Sequence, residues 1–159
     1  MDVIGIRVNA VDIKVDPSVF AMSRDGRAGF VIDSGYEFTS LSNVAFDVLK
    51  NTLYEILGTP ITYAGFEICY QFGTVWRSKP KPVIGIMFRG WLFELDERNV
   101  WGKMDNKNMR LECLLVHRSP GIKLSVLGAA QLFNVNVGHD LNNNLLYLQP
   151  MKCPTSVDP

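Results

Sequence analysis

A carboxylate followed by two small residues ends one hydrophobic segment of this chain, and its position suits acid–base chemistry. Residues 29–32 form the short hydrophobic segment, and Asp33, Ser34 and Gly35 follow it directly. Tight turns favour Asp, Ser and Gly, so the turn would present the carboxylate at the end of a strand. Two carboxylates that share one proton can activate a water molecule for hydrolysis. No second Asp-Ser-Gly or Asp-Thr-Gly occurs in the 159 residues, so this chain would supply half of such a pair.

Short segments of alternating apolar residues predict that strands position this turn. Residues 4–8 and 11–15 alternate around a possible turn at residues 9–10, which predicts a hairpin with one buried face. Many short strands and one main helix predict a mainly β, antiparallel lobe. Further strands are predicted at residues 83–88, 91–95, 111–116, 124–127, 135–137 and 145–148.

One main helix is predicted soon after the Asp33 turn. Ser42 or Asn43 can cap its start, and apolar residues recur every three or four positions through residues 46–57. Gly58 and Pro60 are typical of a helix end.

Composition favours one domain and argues against nucleic acid and membrane partners. Sixteen basic residues balance sixteen acidic ones, so no basic surface is expected. The first residues lack the basic and apolar regions of a signal peptide, and no apolar run is long enough to cross a bilayer. We expect one domain at residues 1–153, exposed loops at residues 74–82 and 104–108, and a frayed tail at residues 154–159.

Three cysteines, Cys69, Cys113 and Cys153, are too few and too dispersed to predict a metal site. None lies in a Cys-x-x-Cys pair or near a histidine at metal-ligand spacing, and His117 and His139 are predicted to be surface or partly buried residues. No metal or other cofactor is therefore expected. The apolar surroundings of Cys69 and Cys113 fit a buried thiol and a disulfide equally well.

An ordered set of short motifs carries a resemblance over nearly the whole chain, from about Val3 to Cys153. The motifs lie at residues 17–20, 32–35, 38–41, 68–70, 113–114, 125–128, 138–141 and 148–153. Together and in this order they resemble the C-terminal lobe of pepsin-like aspartic proteases of the plant nepenthesin type. Relatives of that group include the xylanase-inhibitor proteins of cereals. The resemblance implies a pepsin-like acid protease lobe with one main helix and a short second one.

This resemblance implies a role for each residue of the turn. Asp33 takes the position of one catalytic aspartate, Ser34 braces the active-site loops across the lobe interface, and Gly35 permits the tight turn. The function implied is peptide-bond hydrolysis by an activated water, with a second lobe supplying the other aspartate and no cofactor. In the family, a hydrophobic-hydrophobic-glycine segment threads beside the active-site loop, and it matches Val126, Leu127 and Gly128.

Two positions depart from the family pattern, and one of them favours a different function. The family has a threonine directly after the turn glycine, whereas this chain has Tyr36, whose longer phenol would block the cleft or reorient the carboxylate. Ala129 and Ala130 stand where the family commonly has Asn and Gln. The alternative is a non-catalytic, xylanase-inhibitor-like interaction module or a degenerate protease homologue. Tyr36 favours this alternative, and the intact Asp-Ser-Gly favours the protease.

The resemblance also implies partners, cysteine pairing and location. The partners would be a peptide or protein substrate and an N-terminal protease lobe, or a second copy of the chain that brings two Asp33 residues together. Within the lobe Cys69 would pair with Cys113, while Cys153 would pair with the other lobe and otherwise be free or bridge two molecules. Secretion or a vacuolar route is implied, and either suits a disulfide.

Overall fold

The computed structural model describes residues 2–71, 73, 79–106, 109–120 and 123–152. These residues form fourteen strands, three α-helices and one 3-10 helix. The strands are β1 (Val3–Val8), β2 (Val11–Ile13), β3 (Ala28–Ile32), β4 (Thr39–Leu41), β5 (Ile61–Tyr63), β6 (Phe66–Gln71), β7 (Ile84–Phe88), β8 (Trp91–Glu94), β9 (Trp101–Asn106), β10 (Met109–Leu114), β11 (Val116–Arg118), β12 (Lys123–Leu127), β13 (Val135–Asp140) and β14 (Leu145–Pro150). The helices are α1 (Asn43–Leu57), α2 (Glu97–Val100), α3 (Ala129–Leu132) and the 3-10 helix Pro17–Phe20.

Four sheets organise these strands, and the predicted mainly β class is confirmed. Their strand orders are β2-β1-β7-β8, β5-β6-β10-β9, β11-β4-β12-β3 and the hairpin β13-β14. The first, second and fourth sheets are antiparallel throughout. The third is mixed, because β12 runs parallel to β3, β11 runs parallel to β4, and β12 is antiparallel to β4. The parallel pairs bring distant parts of the chain beside the strand that leads to Asp33.

The predicted main helix is confirmed as α1, and its apolar face enters the core. Phe46, Leu49 and Leu53 are each at most 1% exposed. Burying a side chain of this size contributes about 1.5–3 kcal/mol. Ser42 is the N-cap residue, although its hydroxyl makes no capping hydrogen bond, and Gly58 ends the helix at a φ of 91°. The resemblance implied one short second helix, whereas the described residues contain two, α2 and α3, of four residues each.

The predicted hairpins agree with the structure, while one predicted loop was wrong. β1 pairs with β2 around Asn9, which has a φ of 55°, and β7 pairs with β8 around Gly90. Residues 104–106, predicted to be an exposed loop, belong to β9 and pair with β10. Residues 104–106 read Met-Asp-Asn, and Asp and Asn are typical of turns, so this end of β9 lacks the apolar alternation on which a strand prediction depends.

Some predictions fall wholly or partly outside the described residues. Residues 79–83 have no regular structure, in agreement with the predicted loop, whereas residues 74–78 and 107–108 lie outside. The predicted tail at residues 154–159 and the predicted pairing of Cys153 also lie outside the described residues.

One disulfide joins two neighbouring strands of the second sheet, as the resemblance implied. Cys69 of β6 lies opposite Cys113 of β10, with a Cα–Cα distance of 4.0 Å and an S–S distance of 2.07 Å. Both cysteines are fully buried, and Leu111 packs with them in a small cluster separate from the main core. The pairing of Cys69 with Cys113 is therefore confirmed.

Candidate active site

The mixed third sheet places Asp33 at the end of β3. β3 runs beside β12 with Val31 opposite Val126 and Ile32 opposite Leu127. The pairing continues one residue further, since the Asp33 N–H donates to the carbonyl of Leu127 at 3.1 Å. Asp33 itself is exposed. The sheet thus holds the backbone of the residue whose carboxylate reaches solvent.

Within the turn, backbone groups hold the Asp33 carboxylate. The Gly35 N–H donates to Asp33 Oδ1 at 2.8 Å, and the Tyr36 N–H donates to the Asp33 carbonyl at 3.1 Å. A Cβ atom at Gly35 would lie 3.2 Å from Asp33 Oδ1, a tight contact against the carboxylate. Ser34 is exposed beside them. The turn can therefore present an oriented carboxylate to a water molecule or a substrate.

A second segment passes directly behind the turn and begins at Gly128. The Ala129 N–H donates to the Tyr36 carbonyl at 2.7 Å, and the Ala130 N–H donates to the Glu37 carbonyl at 2.9 Å. The Gly128 N–H donates to the side chain of Thr39 at 3.0 Å. The structure thus brings residues 126–128 and residues 33–36 together.

Gly128→Ala is expected to destabilise the protein by about 3 kcal/mol or more, because the close packing leaves no room for a methyl group. A Cβ atom there would lie 2.5 Å from the carbonyl carbon and oxygen of Phe38 and 2.8 Å from the carbonyl oxygen of Tyr36. These are backbone atoms that cannot rotate away. Urea unfolding of the variant and the wild type measures the difference.

The control for this substitution is Gly138→Ala in β13. Its Cβ atom would lie 3.5 Å from the Tyr147 ring, an ordinary contact distance, so we expect a change of less than about 1 kcal/mol. Equal unfolding midpoints for the Gly128 and Gly138 variants would show that the segment behind the turn can yield.

Tyr36 contributes its backbone to the turn independently of its side chain. Its N–H and its carbonyl both form the hydrogen bonds described above, which any residue except proline can supply. The phenol side chain is 39% exposed. The tyrosine in place of the family threonine therefore leaves the backbone path of the turn intact and changes only what the side chain presents beside Asp33.

Several buried polar residues that sequence reasoning did not identify as functional surround this turn. Thr39, Ser125 and Gln131 are each at most 1% exposed. The Ser42 N–H donates to Ser125 Oγ at 2.9 Å, which joins the start of α1 to β12. Thr39 and Ser125 lie inside motifs that carry the resemblance, and that was their only signal. Gln131 had none, since a glutamine just before a hydrophobic pair is ordinary in sequence.

His117 lies between two aromatic rings next to the segment that carries Glu37. Its ring centroid is 5.1 Å from that of Phe38 and 4.8 Å from that of Phe66. Its Nε2 atom is buried and has no hydrogen-bond partner among the described residues. Burial lowers the pKa of His117, while the negative charges of Glu37 and Glu67 oppose that shift. A neutral imidazole is therefore favoured in the folded protein.

His117→Phe is expected to make the folded protein less sensitive to acid. Below pH 6.5 the unfolded chain protonates His117 while the folded protein, whose pKa is lower, does not, so stability falls as the pH drops through this interval. Phenylalanine fits the aromatic surroundings and removes the titration. Unfolding free energies between about pH 7 and about pH 5 should decline less steeply for the variant than for the wild type. Equal declines would contradict the expectation.

Ion pairs join Glu67, which lies near His117, to Arg118 and Lys50. Arg118 donates to Glu67 Oε1 at 2.9 Å and to Asp47 Oδ1 at 2.7 Å, and Lys50 lies 3.0 Å from Glu67 Oε2. The hydrogen bond from Arg118 is the main cause that lowers the pKa of Glu67. Among the described residues, no three His, Cys, Asp or Glu side chains are grouped so as to hold a metal ion. Glu67 and Asp47 instead both accept hydrogen bonds from Arg118.

An open, mainly apolar groove of about 930 Å³ lies beside β3, the strand that leads to Asp33. Its lining includes Phe30 and Val31 of β3, Leu146 and Leu148 of β14, and Trp91 of β8. Trp91 is 44% exposed and stacks on Phe88, the residue opposite it in the β7-β8 hairpin. The described helices include none that could span a bilayer. The groove thus gives this face an exposed and mainly apolar surface.

Comparison with protein families gives a match over most of the chain. The family model described as "Xylanase inhibitor C-terminal" matches residues 1–150. Two aspartic proteinases of Nepenthes gracilis are similar over 96% of this chain: nepenthesin-2 at 25% identity over 155 residues and nepenthesin-1 at 27% over 156. The chain covers 35% of each, so it spans about a third of the length of these curated relatives.

Solved structures show the same fold at lower sequence identity. The crystal structure of "edgp" superposes with a TM-score of 0.79 at 17% identity, over 94% of this chain and 38% of that one. Basic 7S globulin from soybean gives 0.70 at 17% identity over 93% and 37%. Conglutin gamma from lupine seeds gives 0.69 at 18% identity over 93% and 36%. In each case one lobe-sized part of a larger chain matches.

Proposed function

Because this chain belongs to the xylanase inhibitor C-terminal family, we propose that it is the C-terminal lobe of an aspartic endopeptidase and that Asp33 supplies one of two catalytic carboxylates. The observation that carries the proposal is the geometry of the turn. Asp33 is exposed at the end of β3, and the Gly35 N–H holds its Oδ1 atom at 2.8 Å. The similarity to two aspartic proteinases supports this chemistry.

The proposed reaction needs two carboxylates with different protonation states. The ionised one takes a proton from water as the water attacks the peptide carbonyl, and the protonated one gives its proton to the carbonyl oxygen. Asp33 would be one of this pair. The second aspartate would come from another lobe or from a second copy of the chain. The chain covers 35% of each aspartic proteinase, so the rest of such a protein is long enough to hold another lobe. No cofactor enters this scheme.

A non-catalytic interaction module is the second candidate, and Tyr36 favours it. The phenol is partly exposed and follows directly on the turn that presents Asp33. A bulky side chain at this position would obstruct a substrate or a second carboxylate. In that case the lobe would keep the turn and bind partner proteins through its surface without cleaving them.

The proposed partners and location follow from the exposed apolar face and the disulfide. The groove beside β3 would be covered by an N-terminal lobe, by a second copy, or in part by a peptide substrate. Disulfides such as Cys69–Cys113 persist in oxidising compartments. We therefore place the protein in an extracellular or vacuolar environment.

A two-lobe assay tests the proposal. The chain is joined to the N-terminal lobe of nepenthesin-1, assembly is checked by light scattering, and peptide cleavage is measured at acidic pH with and without pepstatin. Pepstatin-sensitive cleavage that requires both lobes supports the protease. The variant Tyr36→Thr separates the two candidates if the wild-type assembly is inactive, because a gain of cleavage would show that only the phenol blocks the site. A folded assembly inactive with either residue would reject the protease and favour the interaction module.

A further inference from the structure

Gln131 is a fully buried amide that joins four segments around the candidate site. It lies in α3 and is 1% exposed. Its Oε1 atom accepts the Thr39 N–H at 2.9 Å, and its Nε2 atom donates to the carbonyls of Asn99 at 2.6 Å and Leu115 at 3.2 Å. The side chain thus connects α3 to β4, to α2 and to the residue between β10 and β11. Both ends of the amide have partners, as a buried polar side chain requires.

The contacts of Gln131 lead directly to the turn that carries Asp33. Thr39, whose N–H binds Gln131, accepts the Gly128 N–H through its own hydroxyl at 3.0 Å. The two residues after Gly128 hold the carbonyls of Tyr36 and Glu37. Because α3 begins immediately after Gly128, these bonds close a ring that runs from Gln131 through Thr39 and Gly128 back to α3. The turn is attached to this ring through Tyr36, whose N–H binds the Asp33 carbonyl.

We propose that Gln131 is a positioning residue that fixes the Asp33 turn against the segment behind it, an inference that rests on the proposed role of Asp33. The hydrogen bonds of Gln131 go to Thr39, Asn99 and Leu115 and not to the Asp33 carboxylate. It acts by holding Thr39 in place, so that the Gly128 segment has one fixed path beneath residues 36 and 37. A side chain of similar shape without hydrogen-bonding groups would leave the Thr39 N–H and two carbonyls unpaired in a buried site.

Amide hydrogen exchange tests this role on the intact chain without depending on peptidase activity. In Gln131→Met, the amides of Tyr36, Gly128, Ala129 and Ala130 are expected to exchange about tenfold faster than in the wild type. Amides that pair β1 with β7 serve as the internal reference and should change much less. Equal acceleration of both groups would show a purely structural role and overturn the proposal, and so would unchanged exchange in the first group.

Two further variants make the result specific. Ser125→Ala removes a buried acceptor from the same sheet, but that acceptor serves the Ser42 N–H, so only the start of α1 should exchange faster. Gln131→Glu keeps the shape and the acceptor for Thr39, but it can donate only when protonated and then to only one of the two carbonyls. The ratio of amide exchange rates, Glu variant over wild type, should therefore fall toward one at acidic pH and rise toward neutral pH. The Glu variant also replaces the Met variant if the Met variant does not fold. A Glu variant that gives the same ratio at every pH contradicts the proposal.

These measurements separate the failure of this inference from the failure of the proposed function. If the assembled protein cleaves no peptide but the Gln131 variants loosen the turn, Gln131 positions a turn that lacks catalysis. If cleavage occurs and the turn amides ignore Gln131, the proposed function stands and the positioning role is rejected.

Discussion

Asp33→Asn in the assembled two-lobe protein is expected to lower peptide hydrolysis on the order of 10²- to 10⁴-fold. The amide can neither take a proton from water nor deliver one to the carbonyl oxygen, so the dyad loses one of its members. Asparagine keeps an oxygen that can accept the Gly35 N–H, which binds Asp33 Oδ1 at 2.8 Å in the wild type. The turn should therefore persist while the chemistry is lost. Initial rates of peptide cleavage at acidic pH measure the effect.

Asp25→Asn is the matched control for this substitution. Asp25 is also exposed in a turn, and its Oδ1 atom accepts the backbone N–H two residues later, from Arg27 at 3.1 Å. It lies before β3 and has no place in the proposed reaction. We expect the Asp25 variant to cleave at the wild-type rate. If the Asp33 variant retained that rate with the second lobe present, Asp33 would not belong to the catalytic pair.

Local patterns predicted the elements that depend on nearby residues. The α1 helix has apolar residues at helical spacing, with a glycine at its end, and the β1-β2 and β7-β8 hairpins alternate around Asn9 and Gly90. Each of these elements closes over a few residues, so its signal lies within a short window of sequence. Strand β9 gave no such signal, because glycine and polar residues interrupt its apolar positions, and β4 gave none because its buried residues Thr39 and Ser40 are polar.

The parts of the candidate site beyond the Asp33 turn could be predicted only from the resemblance to a known family. The residue types Asp-Ser-Gly after a hydrophobic segment indicated a turn at Asp33, and the resemblance added Gly128 as part of the segment behind it. The parallel pairing of β3 with β12 and the bond between Thr39 and Gln131, which are 92 positions apart, have no local signature. Long-range hydrogen bonds made by single polar side chains leave no periodic trace in a sequence. The effect of Tyr36 also depends on a second lobe that these residues do not contain.

Removal of the disulfide is expected to destabilise this lobe strongly. Cys69 and Cys113 are 44 positions apart, and a closed loop of that length stabilises a protein by about 4 kcal/mol in the chain-entropy model. Small domains are stable by only about 5–15 kcal/mol in total, so this is a large fraction. The double variant Cys69→Ala/Cys113→Ala should therefore unfold at a much lower urea concentration than the oxidised wild type.

Two controls assign this loss to the bond between Cys69 and Cys113. The wild type in reductant should unfold near the midpoint of the double variant, since both lack the bond. Cys153→Ser leaves the pair intact and should unfold at the midpoint of the oxidised wild type. In a thiol titration in denaturant without reductant, the wild type should show one free thiol and the Cys153 variant none. A double variant as stable as the oxidised protein would mean that the sheet pairing of β6 with β10, rather than the covalent link, determines the stability of this region. The bond between Cys69 and Cys113 would then contribute little to the free energy of unfolding.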